Sequence, residues 1–376
     1  MNAVVSQRRR VLSIFGTRPE AVKMAPVVAE LAAAPDFESL ICVTAQHREM
    51  LDQVLGLFAI RPDFDLNLMQ PDQSLADLTA AVIRGLDPIL DEVKPDWVLV
   101  QGDTTTVMAA ALSSFYHRAR LGHVEAGLRT DDKWQPFPEE INRRMASVIA
   151  DLHFAPTELA RQNLRREGVR PDRIVVTGNT VIDALLRVAD LPYDWGSGPL
   201  RQVPPDRRLI TVTAHRRENF GSPLEEVFEA LRTLAGEFAG DIHLVYPVHR
   251  NPNVAEPAHR LLDGVANISL VEPLDYLPMV QLLKRSHLVL TDSGGLQEEA
   301  PALGVPVLVL RQVTERPEAL EAGTARLVGT DRERILEEAR RLLRDPVAHA
   351  QMARAANPYG DGHASARIVE ALRQEG

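Results

Sequence analysis

Short apolar runs that lack the alternation of a half-exposed strand constrain this chain most. Residues 11–15 (VLSIF), 40–44 (LICVT) and 97–100 (WVLV) are apolar with little regard for side. Strands of that kind sit in a parallel sheet covered by helices on both faces. Helical spacing follows each run, at 19–33, 48–58, 75–93 (ending just before Pro95) and 105–116. The series continues with strand 123–125, helix 139–150, strand 152–155, helix 158–167 and strand 174–176.

The pattern then breaks and restarts. Residues 190–205 hold Pro192, Pro199, Pro204 and Pro205 with Gly196 and Gly198, a composition that reads as irregular connection. Strands at 209–214, 243–247, 268–271, 288–291 and 307–310 follow, with helices at 224–237, 253–262, 276–285 and 296–303. Further helices are expected at 332–343, 348–355 and 364–374. The expectation is an α/β fold of two doubly wound Rossmann-like domains, 1–185 and 186–362, with the helix of 363–376 returning to complete the first. Their facing edges are expected to form a ligand cleft. A length of 376 residues suits two domains.

Composition removes several classes. The 42 basic and 52 acidic residues give a net charge of −10, which argues against a sequence-independent nucleic-acid binder. Cys42 is the single cysteine, so an intrachain disulfide and a cysteine zinc cluster are both excluded. Arg8, Arg9 and Arg10 precede too short an apolar run for a signal peptide, and no stretch nears the roughly 20 apolar residues of a membrane span. A cytoplasmic protein with no metal, no membrane and no nucleic acid is expected.

Five polar motifs fall at predicted strand ends. Gly16-Thr17-Arg18-Pro19-Glu20 opens a helix and puts Arg18 and Lys23 near its positive end, as a diphosphate clamp would or as plain capping chemistry would. Gln101-Gly102-Asp103-Thr104 places a carboxylate, or simply an N-cap, at the end of a buried strand. His123-Val124-Glu125-Ala126-Gly127 ends on a glutamate that is costly there unless it is paired or faces a cleft. Glu139 and Glu140 begin a helix after Pro138, as functional acids or as partners of the helix dipole. His215-Arg216-Arg217-Glu218-Asn219 gathers an imidazole and two guanidiniums. Last and sharpest is Asp292-Ser293-Gly294-Gly295-Leu296-Gln297-Glu298-Glu299. Its small residues can offer backbone N–H groups to a phosphate, and Glu298 or Glu299 can accept from ribose hydroxyls. Basic groups and an anion cradle suit a nucleoside diphosphate. The carboxylates Asp103, Glu125 and Glu139 suit hydroxyl recognition and proton transfer, so a nucleotide-sugar satisfies both halves.

Together with Thr314-Glu315-Arg316-Pro317-Glu318, these motifs, in this order from about residue 11 onward, resemble the bacterial non-hydrolysing UDP-N-acetylglucosamine 2-epimerases. The resemblance implies a glycosyltransferase-B architecture, a homodimer, no cofactor, and interconversion of UDP-N-acetylglucosamine and UDP-N-acetylmannosamine for surface polysaccharide synthesis. It implies elimination of UDP to a 2-acetamidoglucal, then re-addition. By similarity, Arg18, Lys23, His215, Ser293, Gly294, Gly295 and Arg316 contact UDP, and Glu299 holds the ribose. Asp103, Glu125 and Glu139 form the acid/base set, with Asp103 at C2, and His215 also counts among the catalytic residues. Met279 and Leu274 stand where the family often has an aromatic and a polar residue. Gln46, Arg217 and His249 match a second, activating sugar-nucleotide site of some relatives, whereas Glu49 and Asp72 depart from it. A hydrolysing 2-epimerase and a glycosyltransferase of the same architecture are the alternatives.

Overall fold

The structure, a computed structural model, describes residues 8–45, 48–68, 70 and 72–375. The chain divides into two compact units, Met1–Ala184 with Tyr359–Gly376, and Leu185–Pro358.

The first unit holds strands β1 (Arg9–Phe15), β2 (Phe37–Val43), β3 (Phe64–Asp65), β4 (Trp97–Gln101), β5 (Arg120–Val124), β6 (Leu152–Ala155) and β7 (Ile174–Val176). They form one parallel sheet in the order β3-β2-β1-β4-β5-β6-β7. Helices α1 (Arg18–Ala33), α2 (Arg48–Leu57), α3 (Leu75–Val93), α4 (Thr105–Tyr116), α5 (Glu139–Ile149) and α6 (Glu158–Arg166) connect them. Every residue of β4 is buried, which is why its sequence shows no alternation. Leu12, Ile14, Val98 and Val100 pack with Val82, Leu86 and Leu90 of α3 in the core. Ser74 caps α3, which ends on Lys94 in a left-handed conformation before Pro95.

Helix α7 (Thr180–Ala189) carries the chain from the first unit into the second. Strands β8 (Arg208–Thr213), β9 (Ile242–Pro247), β10 (Ile268–Val271), β11 (Ser286–Thr291), β12 (Val307–Val309) and β13 (Ala325–Leu327) form another parallel sheet, ordered β10-β9-β8-β11-β12-β13. Its helices are α8 (Ser222–Glu237), α9 (Pro252–Leu262), α10 (Tyr276–Arg285), α11 (Gly294–Ala302), α12 (Pro317–Glu321), α13 (Arg332–Arg344) and α14 (Pro346–Ala353). The proline-rich segment before β8 is irregular, yet its Leu200 and Val203 are buried against Leu209, Val245 and Leu282. Helix α15 (Ala364–Gln374) lies in the first unit, where Asp183 accepts from the N–H groups of Ala364 (3.2 Å) and Ser365 (2.8 Å).

Both sheets are the doubly wound α/β type expected. The short elements β3, β13 and α12, and the ten-residue α7, have no counterpart in the sequence reading. One reading is corrected: β5 stops at Val124, and Glu125 follows it at φ +62°, outside the strand. Each sheet reverses its strand order at a switch point, between β1 and β4 in the first and between β8 and β11 in the second. Ligands of such sheets bind at the carboxyl ends of the strands flanking that point.

Candidate active site

At the first switch point β1 runs into Gly16, where a Cβ would lie 2.0 Å from Thr44 Oγ1, so only glycine fits. Thr17 and Glu20 form a capping box on α1. Glu20 is buried, and its carboxylate does more than cap. Oε2 accepts from the N–H groups of Gly16 (2.8 Å) and Thr17 (2.7 Å), while Oε1 accepts from Thr104 Oγ1 (2.5 Å), beyond β4. Burial raises its pKa, with those donors pulling the other way. The Arg18 side chain makes no hydrogen bond or ion pair with a described residue.

Lys23, one turn further along α1, reaches Glu125. Its Nζ is 2.6 Å from Oε1 and 2.7 Å from Oε2. Asn179 Nδ2 donates to Oε1 at 2.9 Å, and Gln101 Nε2 donates to Oε2. This buried carboxylate therefore accepts from both neutral and cationic donors. Gly102 leaves β4 at φ +81°, and its carbonyl lies 2.7 Å from His123 Nε2. Burial pushes the His123 pKa down to about 4.

Asp103 comes next. Arg143 of α5 donates to its Oδ2 at 2.5 Å, and Asn142 Nδ2 donates to its main-chain carbonyl at 3.0 Å. Burial raises the Asp103 pKa, Arg143 lowers it, Glu125 raises it and Lys23 lowers it. Helix α5 also separates the two glutamates at its start. Glu140 is buried and saturated by Arg144 Nε (2.9 Å), the Thr130 N–H (3.2 Å) and Arg143 (3.4 Å). Glu139 keeps an enclosed Oε2 with no hydrogen-bond partner among the described residues.

At the second switch point β8 leads to His215 and β11 to Asp292, Ser293 and the glycines. Asp292 is fully buried, and its Oδ2 accepts from the N–H groups of His215 (2.7 Å) and Arg216 (2.8 Å) and from Asn219 Nδ2 (3.3 Å). The His215 ring stacks on His249 with centroids 5.4 Å apart. Burial lowers the His215 pKa, Asp292 raises it, and His249 and Arg216 lower it. Ser293, Gly294 and Gly295 open α11, with no side chain capping its N–H groups. A Cβ on Gly294 would lie 3.9 Å from the Arg316 guanidinium carbon, and one on Gly295 would lie 3.3 Å from Glu299 Oε1. Those two charged groups thus flank an open helix N-terminus, a geometry suited to an anion beside a hydroxyl-bearing ring. Glu298 is instead buried on Arg316 Nε, and its main-chain carbonyl accepts from Asn357 at 2.9 Å.

The first unit therefore groups Lys23, Asp103 and Glu125, with Arg18 and Glu139 on the helices that supply the partners. The second groups His215, Ser293, Gly294, Gly295, Glu299 and Arg316. Sequence reasoning missed Glu20, Gln101, Arg143, Asn179 and Asp292. A capping-box glutamate and an aspartate closing a buried strand were the available signals for the first and last of these. Arg217 is exposed in the turn after His215. Gln46 lies outside the described residues, as does the Glu49 side chain. Among the described residues no three His, Cys, Asp or Glu side chains group as a metal site requires, and no helix is long and apolar enough to cross a membrane.

Comparison with known proteins gives a consistent family. The family described as UDP-N-acetylglucosamine 2-epimerase matches residues 29–373. The UDP-N-acetylglucosamine 2-epimerase of Escherichia coli K12 is 57% identical over 97% of this chain and 98% of its own. That of Bacillus subtilis 168 is 53% identical over 97% and 95% respectively. The solved Neisseria meningitidis UDP-GlcNAc 2-epimerase, bound to UDP-GlcNAc, is 47% identical with a TM-score of 0.85, over 97% of this chain and 100% of that one. The motifs at the two switch points and these matches along nearly the whole length agree: the chain belongs to the UDP-N-acetylglucosamine 2-epimerase family.

Proposed function

We propose that this chain interconverts UDP-N-acetylglucosamine and UDP-N-acetylmannosamine without hydrolysis, by eliminating UDP and adding it back. The C2–H of the sugar has no carbonyl alpha to it, so direct deprotonation faces a prohibitive barrier. Removing the proton as the C1–O bond breaks avoids that carbanion and leaves UDP and a 2-acetamidoglucal. UDP oxygen then attacks C1 while C2 takes a proton on the opposite face.

The observation that carries this reading is the placement of Asp103 and Glu125 just beyond the carboxyl ends of β4 and β5 at the first switch point. Burial raises the proton affinity of Asp103, the direction that suits a group that must take and return a proton. Glu125, bound by Lys23, Gln101 and Asn179, and Glu139, with an unsatisfied oxygen, complete the acid/base set. Arg18, Arg316, His215 and the Ser293–Gly294–Gly295 turn act on the diphosphate, and Glu299 on the ribose. Lys23 contacts the diphosphate as well as Glu125. Each preorganised donor on the departing oxygen is worth about 3 kcal/mol of barrier. The Neisseria relative's bound UDP-GlcNAc supports the substrate class.

No cofactor takes part in this scheme. The enzyme works in the cytoplasm as a homodimer and feeds surface polysaccharide synthesis. An apolar stripe on α5, made by Ile141, Met145 and the 87%-exposed Val148, supports a covering second copy. A time course with UDP-N-acetylglucosamine and no acceptor tests the reaction. UDP-N-acetylmannosamine should form and revert. Accumulating free N-acetylmannosamine with UDP points to the hydrolysing reaction, and no product at all points to a transferase.

A further inference from the structure

The second switch point holds a buried carboxylate that the scheme above does not use. Asp292 lies between β11 and Ser293 with no exposed surface. Its Oδ2 takes two main-chain N–H groups and the Asn219 amide. Its Oδ1 makes no hydrogen bond among the described residues, yet it lies 3.5 Å from His215 Nδ1. That separation exceeds a hydrogen bond by a few tenths of an ångström, and catalytic contacts commonly tighten when substrate binds.

We infer that Asp292 is a positioning residue that holds His215 as the Nδ1–H tautomer, leaving Nε2 to meet the substrate diphosphate. The argument is geometric. Oδ2 is saturated by three donors, so Oδ1 is the oxygen left for the ring. A carboxylate oxygen facing a ring lone pair is repulsive, whereas one facing Nδ1–H is attractive. The same side chain fixes the His215–Arg216 main chain, so ring direction and tautomer are set together. Neutral His215 then accepts a proton at Nε2, and protonated His215 donates one from Nε2 to the departing oxygen. In both states the Nδ1–H stays on Asp292. The charged or titratable groups facing the ring are Asp292, the stacked His249 and Arg216. Only Asp292 among them favours the protonated ring. The assignment of the diphosphate to His215 rests on the function proposed above; the tautomer does not.

The test uses the full-length protein labelled with ¹⁵N-histidine, with the His215 signal assigned by its loss in His215→Gln. Near pH 8 the neutral ring should show protonated Nδ1 and bare Nε2; the opposite tautomer overturns the inference. In Asp292→Asn the oxygen must stay on the two N–H groups, so the new NH₂ faces Nδ1. His215 should then flip to the Nε2–H tautomer, and its pKa should drop by about one unit. Turnover of UDP-N-acetylglucosamine should fall at least about tenfold in kcat, with KM changed less than about threefold. Asn219→Ala, which removes a donor to Oδ2 and to the Leu310 carbonyl but none to Oδ1, should leave the His215 titration in place. An unchanged tautomer and titration in Asp292→Asn would mean the carboxylate only stitches the turn. Should Asp292→Asn fail to fold, the tautomer of the unsubstituted protein decides the matter. A correct tautomer in a protein that does not turn over the sugar nucleotide sinks the function while leaving the positioning intact.

Discussion

Lys23 Nζ bridges both carboxylate oxygens of Glu125, at 2.6 and 2.7 Å, across 102 positions of sequence. Glu125 is buried, and the Lys23 ammonium is a cationic partner held against it at the first switch point. Replacing Lys23 with Met removes that cation and keeps the Gln101 and Asn179 amides on the carboxylate. Because the lysine side chain is one-fifth exposed, the cost should sit at or below the low end of the buried-pair range, about 2–3 kcal/mol in urea unfolding. Adding Glu125→Gln should recover more than half of that loss. Additive losses in the double variant would show that the two groups are energetically independent.

The proton affinity of Asp103 sets a pH prediction. Burial raises its pKa above the usual 3.8, and the group must be ionised to accept the C2 proton. Activity should therefore fall as pH drops through that raised value. Arg143 stabilises the ionised form, so Arg143→Gln should raise the Asp103 pKa further and move the acid limb of kcat/KM to higher pH. A limb that stays put or moves to lower pH contradicts Asp103 as the base.

Much of this was legible in the chain, for identifiable reasons. Strand β4 and the run in β1 could be read because burial on both faces leaves an unbroken apolar sequence, and the end of α3 because Pro95 follows it. Two-residue β3 and three-residue β13 are too short for any periodicity to show, and β13 carries an exposed Arg326. Site residues fared by a similar rule. Asp103 and Ser293 follow directly from strand ends, and β4 and β11 do flank switch points. The place of Lys23 on its helix is local information, whereas its contact with Glu125, 102 positions away, could not be read from the chain. Asp292 and Glu20 were passed over because their importance lies in donors from elsewhere in the fold, such as Thr104, 84 positions beyond Glu20.

Glu20 provides a third test. Glu20→Gln keeps an acceptor for the Gly16 and Thr17 N–H groups and turns its amide toward Thr104, so stability should change by less than about 1 kcal/mol. Glu20→Ala abandons three donors at a buried turn and should cost about 2–4 kcal/mol by thermal or urea unfolding. Equal effects of the two substitutions would mean the hydrogen bonds contribute little.

The exposed stripe on α5 predicts association. Val148→Glu places a charge among Ile141 and Met145 and should shift the protein from dimer to monomer in sedimentation equilibrium without unfolding it. A dimer that withstands the substitution locates the contact elsewhere.

The most direct measurement of the central claim is turnover of UDP-N-acetylglucosamine in heavy water, with the recovered sugar nucleotides examined at C2. Proton removal by Asp103 and return from the opposite face predict deuterium at C2 of both epimers, growing with each turnover. Epimers formed without label at C2 would contradict the elimination and re-addition account.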